Sequence, residues 1–191
     1  MAACVLVLLG TGFLPILGIQ FAWVAIHWIT GLVLTAAVAI HTVRSVIWKS
    51  LRPMLIGARD VRDVLSIINW NLRRTSVPPP KPGKYSPAQK LIHHSFALTV
   101  LTTIATGLLL MIKVDTPIWE RDAGVFADAT WGMIHVFHDL AALLLITMVI
   151  AHAYFAARPE KLLFTRSMLL GWITREDYES HHDPERWQVD E

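Results

Sequence analysis

Apolar residues gather into four long runs along the chain, and polar residues collect between them and after the last. The first run, residues 3–19 (ACVLVLLGTGFLPILGI), has the minimal length for a membrane span. Pro15 is expected to bend or end it, because proline lacks the backbone N–H and crowds the preceding turn. No polar anchor precedes this helix, so it begins abruptly, and a truncated or misassigned start stays open. The second run covers 21–48 (FAWVAIHWITGLVLTAAVAIHTVRSVIW). Trp23 and Trp28 near one end and Trp48 at the other suit the two interfacial aromatic belts. The third covers 88–112 (AQKLIHHSFALTVLTTIATGLLLMI), where Thr99, Thr102, Thr103, Thr106 and Gly107 suit close helix packing in lipid. The fourth covers 131–157 (WGMIHVFHDLAALLLITMVIAHAYFAA).

The polar segments differ in kind. Residues 49–87 form a long connection. Within it MLIGARDVRDVLSIINWNLRR places apolar residues at helical spacing between charges, the pattern of an amphipathic helix lying on a membrane surface. SVPPPKPGKYSP then predicts an extended or turn-rich stretch, and Pro87 suits the first turn of the next helix. A short loop, KVDTPIWERDAGVFADAT, joins the third and fourth runs. The tail, 158–191, predicts a short helix near LLFTRSMLLGWI and closes on HHDPERW. The fold class expected is all-α integral membrane: a four-transmembrane-helix bundle with an amphipathic interfacial helix between spans two and three. Residues 1–191 are read as a single membrane domain.

Composition agrees. The chain is 54% hydrophobic with a mean hydropathy of +0.47, too apolar for an ordinary water-soluble domain. The single cysteine, Cys4, excludes an internal disulfide and a Cys-x-x-Cys-His haem attachment. The opening MAACVLVLLG lacks the basic region of a secretory signal and reads as part of the first helix. Net charge is only +2, and no nucleic-acid partner is expected. Its distribution matters more. Ten of the 17 Lys and Arg lie between Arg44 and Lys90 and five lie from Arg158 onward, leaving Lys113 and Arg121 in the loop between. The positive-inside rule then puts the connection, the tail and both termini in the cytoplasm, and the second and fourth helices both run from outside to inside.

Four histidines stand out within those two helices: His27 and His41 in the second, His138 and His152 in the fourth. Both pairs have the same 14-residue spacing, which leaves the members on nearly one helix face, roughly 21 Å apart along the axis. That rise fits inside a hydrocarbon core of about 30 Å. With the helices parallel, His27 matches His138 in depth and His41 matches His152. Histidine inside a membrane costs free energy without a partner or a task. Neutral imidazole ligates iron well, and haem is flat and apolar enough to sit between helices. The expectation is therefore two haems b, with His27 and His138 on the outer iron and His41 and His152 on the inner. With both axial positions filled, such iron suits one-electron transfer. The bland alternative is four packing or hydrogen-bonding histidines.

Neighbouring residues carry weaker signals. Gly31, one turn after His27, makes room for a porphyrin, with Ala142 in the equivalent place after His138, although glycine is common in membrane helices. Arg44, one turn past His41, either pairs with an inner haem propionate or snorkels. His135 competes with His138 for the outer iron, and the 14-residue spacing favours His138. His93 and His94 open the third helix near the inner surface, in reach of a quinone or propionate or simply of water. Asp139 is read as solvated, and His181 and His182 as poor haem candidates.

The chain resembles the cytochrome b subunits of respiratory formate dehydrogenases, nickel-iron hydrogenases and thiosulfate-reductase-like complexes. The resemblance spans nearly the whole chain. It rests on IHWITG with Arg44 downstream, GKYSPAQKL, the Thr106-Gly107 pair, His138 and His152, and the closing HHDPERW. It implies a four-helix anchor in a bacterial or archaeal cytoplasmic membrane, holding two haems b. Such an anchor passes electrons between an outer-face oxidoreductase subunit, a molybdopterin or iron-sulfur protein or a multihaem cytochrome c, and menaquinone or ubiquinone. His27 and His138 match the outer ligands and His152 one inner ligand. In the formate dehydrogenase pattern the other inner ligand comes from the first helix, which here has no histidine. His41 is the substitute, as in the cytochrome b of bc complexes, with a histidine upstream of this chain as the alternative. The resemblance also implies a quinone site near the inner haem at Tyr85, Ser86, Gln89 and His152. Ser86 and Gln89 equally suit an ordinary helix start. A stand-alone quinone-linked cytochrome b and a haem-free anchor or histidine-lined transporter are the competing functions.

Overall fold

A computed structural model describes residues 1–48 and 51–188. The first two residues of the expected connection, 49–50, and the last three of the tail lie outside the described residues. Among those described, every regular element is helical: α1 (Ala2–Phe13), α2 (Trp23–Ile47), α3 (Ala58–Asn71), α4 (Pro87–Leu110), α5 (Asp128–Ala157), α6 (Leu162–Leu170) and α7 (Arg175–His181), with short 3₁₀ turns between them.

Among the described residues three helices are long and apolar enough to cross a membrane: α2, α4 with the turn that follows it to Lys113, and α5. The first apolar run gives a shorter helix than its length predicts. α1 has 12 residues, about 18 Å at helical rise. Regular hydrogen bonding stops ahead of Pro15. Leu17 N–H is shared between Phe13 O at 3.3 Å and Leu14 O at 3.1 Å, and Gly18 turns the chain at φ +85°. That left-handed angle suits glycine, which has no Cβ to clash. The other spans fall within a few residues of expectation, and the tail helix appears as α6. The amphipathic helix of the connection forms as α3, shorter than its pattern suggested, and α7 is an addition. Thr174 caps α7 by accepting from Asp177 N–H at 3.1 Å.

The chain divides into two compact units. The first comprises Met1–Trp48 and Phe96–Val149. Within it α1 packs on α2 as a hairpin, and side chains tie α4 to α5, with Thr99 Oγ1 donating to Met148 Sδ at 3.7 Å. Its interior holds Leu9, Leu34, Met111, Trp131, Ile134, Ala141 and Leu145, together with the polar Thr11, Ser45 and Thr99. The outward surface is apolar instead: Ile40 is 68% and Leu98 70% exposed, the arrangement of helices that meet lipid. The loop between α4 and α5 is pinned by its aromatics. Trp119 Nε1 donates to Met111 O at 3.1 Å, Trp131 Nε1 donates to Ala123 O at 2.9 Å, and Phe126 meets Trp131 edge-on.

The second unit comprises Lys49–Ser95 and Ile150–Glu191. Here the charged residues of the connection find specific ties. Asp60 accepts the Gly57 N–H at the start of α3 and forms a salt bridge at 2.8 Å to Lys90 in the first turn of α4. Arg186 pairs with Asp63 at 2.7 Å and with Asp183 at 3.3 Å. The proline-rich stretch is held by the tail. Asp183 N–H donates to Pro82 O, His182 Nδ1 meets Gly83 O at 2.7 Å, Lys81 Nζ donates to Glu179 O, and Tyr178 OH donates to Trp187 O. A Cβ at Gly83 would sit 3.1 Å from Arg186 O, so any larger residue would push the two segments slightly apart.

Candidate haem site

Four helices build one site in the first unit. His27 stands one turn into α2, and His138 stands in the first half of α5. Their ring centroids lie 6.2 Å apart with planes at 67°. Both are half-buried, while His135, the competitor three residues earlier, points outward and is exposed. Trp23 lies edge-on to His27 at 6.5 Å, and Trp28 meets Trp119 of the α4–α5 loop at 6.4 Å.

The other two helices contribute hydroxyls. Thr11 Oγ1 of α1 lies 2.8 Å from His27 Nδ1, and Thr106 Oγ1 of α4 lies 2.9 Å from His138 Nδ1. On both rings the Nδ1 side is thus engaged, which leaves Nε2 as the nitrogen for a metal. The glycine after each threonine also faces its histidine. A Cβ at Gly12 would lie 3.8 Å from His27 Cε1, and one at Gly107 would lie 3.3 Å from His138 Cε1.

The donor set fits a haem iron better than a bare ion. A metal–imidazole bond is about 2 Å and the ring centre lies about 1 Å behind its nitrogen, so two axial imidazoles have centroids about 6 Å apart. The observed 6.2 Å meets that figure. Among the described residues no three or more His, Cys, Asp and Glu cluster as a metal cage. Two imidazoles alone do not satisfy a tetrahedral ion, whereas a porphyrin supplies the other four donors itself.

The remaining expected residues are placed as follows. His41 is exposed on α2 in the first unit, and His152 is exposed on the part of α5 that belongs to the second unit. Arg44 stacks its guanidinium 4.0 Å over Trp48, the contact of a side chain running along an apolar surface. A Cβ at Gly31 would meet nothing within 4 Å, as on a porphyrin face or a lipid face alike.

In the second unit Ser86 and Gln89 form a reciprocal helix cap. Ser86 N–H donates to Gln89 Oε1 at 2.8 Å, and Gln89 N–H donates to Ser86 Oγ at 3.3 Å. The cap uses acceptors only, so the Gln89 amide NH₂ and the Ser86 hydroxyl proton stay available as donors. Tyr85 is half-buried beside Lys84. His93 and His94 meet edge-on, and His94 Nδ1 reaches Lys90 O at 2.8 Å. His182 is buried against the Gly83 carbonyl and takes a structural part.

Pattern reading passed over Thr11 and Gly12 and took Thr106 and Gly107 as packing residues and as part of the family resemblance, with no contact to a histidine. A signal was present: a Thr-Gly pair recurs near the end of each helix that precedes a histidine helix.

A family model described as prokaryotic cytochrome b561 matches residues 1–171. No curated protein matches the chain.

Proposed function

The chain belongs to the prokaryotic cytochrome b561 family, and from that premise we propose that it is a dihaem cytochrome b, the membrane subunit of a respiratory oxidoreductase complex. Membership implies a multi-pass membrane cytochrome b that binds haem b and transfers electrons. The proposal adds two haems, a quinone and an outer-face partner. The observation that carries it is the His27–His138 pair, whose centroids lie 6.2 Å apart with both Nδ1 atoms engaged. A haem held by two imidazoles supplies one-electron transfer and leaves no open position for a substrate.

In this reading His27 and His138 hold the outer haem, and His41 and His152 the inner one, about 21 Å further along the same two helices. α1 completes a four-span bundle by closing over His27. Gly31 gives the porphyrin room, and Arg44 stands within one turn of His41. Tyr85, Ser86, Gln89 and His152 serve quinone on the cytoplasmic side. The free donors of Ser86 and Gln89 suit its carbonyls, and nearby water suits proton exchange. The bland outer loop leaves substrate chemistry to a partner: a molybdopterin or iron-sulfur protein or a multihaem cytochrome c.

The test is a redox-titrated haem spectrum of the purified complex, with its subunits identified. Two b-type components are expected. His27→Ala and His138→Ala each remove one of them, and His41→Ala and His152→Ala remove the other. A single component that survives His41→Ala intact would remove the inner assignment.

A further inference from the structure

Thr11 and Thr106 occupy equivalent places on helices that carry no ligand. Each hydroxyl has one proton and two lone pairs. Thr11 Oγ1 lies 2.8 Å from Val7 O, the carbonyl one turn back, and Thr106 Oγ1 lies 2.7 Å from Thr102 O. This is the resting geometry of threonine in a helix, with the proton directed at its own backbone. The hydroxyl then meets the imidazole as an acceptor, so Nδ1 must carry the proton and Nε2 the lone pair. The reverse arrangement, with hydroxyl donating to Nδ1, would put a proton on Nε2 and block ligation. The backbone carbonyl therefore decides which face of the hydroxyl the histidine sees, and the hydroxyl decides the tautomer.

We propose that Thr11 and Thr106 are positioning residues for the haem of His27 and His138, holding each imidazole as an Nδ1–H tautomer and making Nε2 a stronger electron donor to iron. This rests on the haem reading above. Each threonine works with the glycine that follows it: the hydroxyl meets Nδ1 while bare backbone passes Cε1 at the distances already given. The two contacts together fix the rotation of the ring about its own axis. A third Thr-Gly pair, Thr30-Gly31 on α2, serves as an internal contrast, since a Cβ at Gly31 would meet nothing within 4 Å among the described residues. A ligand that donates its outer N–H acquires basicity and favours ferric iron. The pair of hydroxyls thus lowers the potential of this haem relative to the same site without them.

The experiment uses the purified full-length protein, with Thr11→Val, Thr106→Val, the double variant, the matching serine variants, and Thr30→Val as control. Valine keeps the shape and removes the acceptor. An upward shift of one haem's midpoint potential is expected in each valine variant, larger in the double, with an altered low-spin ferric EPR signal. Serine variants restore both readouts, and Thr30→Val leaves them unchanged. If valine variants lose the haem while serine variants keep it, the inference stands on haem content instead. Valine variants that hold haem with unmoved potential and EPR overturn this inference alone, as does equal loss of haem in the valine and serine variants. A wild-type protein without low-spin b-type haem overturns the haem reading and this inference with it.

Discussion

At the scale of single residues, the site depends on small side chains that are close to larger ones. Gly107 is the tightest case, because a Cβ there already lies 3.3 Å from His138 Cε1. Gly107→Val adds a branched side chain against the imidazole and is expected to reduce haem to about half the wild-type content by loss of the outer group; unchanged stoichiometry in a pyridine haemochrome assay would count against the site. Gly83→Ala is the corresponding change in the second unit. Its Cβ would press on the Arg186 backbone at 3.1 Å, which cannot yield as a flexible side chain could. A cost of about 1–3 kcal/mol is expected, read as a lower unfolding midpoint and faster proteolysis after residue 75, with haem spectra intact. That His27 and His138 come together was legible from spacing and charge, because those signals are local to two helices. The acceptors were not. A membrane-helix threonine bonds its own backbone by default, as Thr11 and Thr106 both do. Their second role exists only once another helix is alongside.

At the scale of elements, apolar length read the three long helices well, because a helix that crosses lipid must satisfy its backbone internally. It overread α1, where Pro15 ends regular bonding early, and it missed α7, whose seven residues, all but Tyr178 polar, carry no periodic signal. The ties of α3 were equally hidden, since Asp60 and Lys90 are far apart in sequence. Burial pushes the Asp60 carboxyl up, but the Lys90 and Gly57 hydrogen bonds and the Lys90 charge outweigh it and hold the group below its ordinary range. A carboxyl lowered on folding stabilises the fold fully above its unfolded value, about 3.9, and that contribution is lost as pH falls through the folded value. Amide protection of α3 is therefore expected to fall as the medium is acidified below about pH 4. Asp60→Asn is expected to remove that dependence and to cost about 1–3 kcal/mol at neutral pH. Protection that is flat with pH in the wild type would show that the pair contributes nothing.

At the scale of the whole molecule, charge asymmetry makes the sharpest statement. With ten basic residues between Arg44 and Lys90 and five from Arg158 onward, the positive-inside rule predicts that the connection and the tail share one side of the membrane. Reporter fusions after residue 85 and at the C-terminus are expected to behave as cytoplasmic, and a fusion within residues 115–125 as external; the opposite pattern would overturn the proposed topology and with it the placing of quinone on the cytoplasmic side. The hold of the tail on the proline-rich stretch has a further consequence, for synthesis. His182 and Gly83, and Arg186 and Asp63, come together across stretches of 99 and 123 residues. A growing chain cannot make these contacts until two spans have entered the bilayer and the last residues have left the ribosome. Elongation at roughly 5–20 residues per second leaves the connection unclasped for several seconds. Closure of the tail is thus a late step in biogenesis, and a nascent chain stalled at residue 175 would leave untied a stretch that the finished protein holds by its tail.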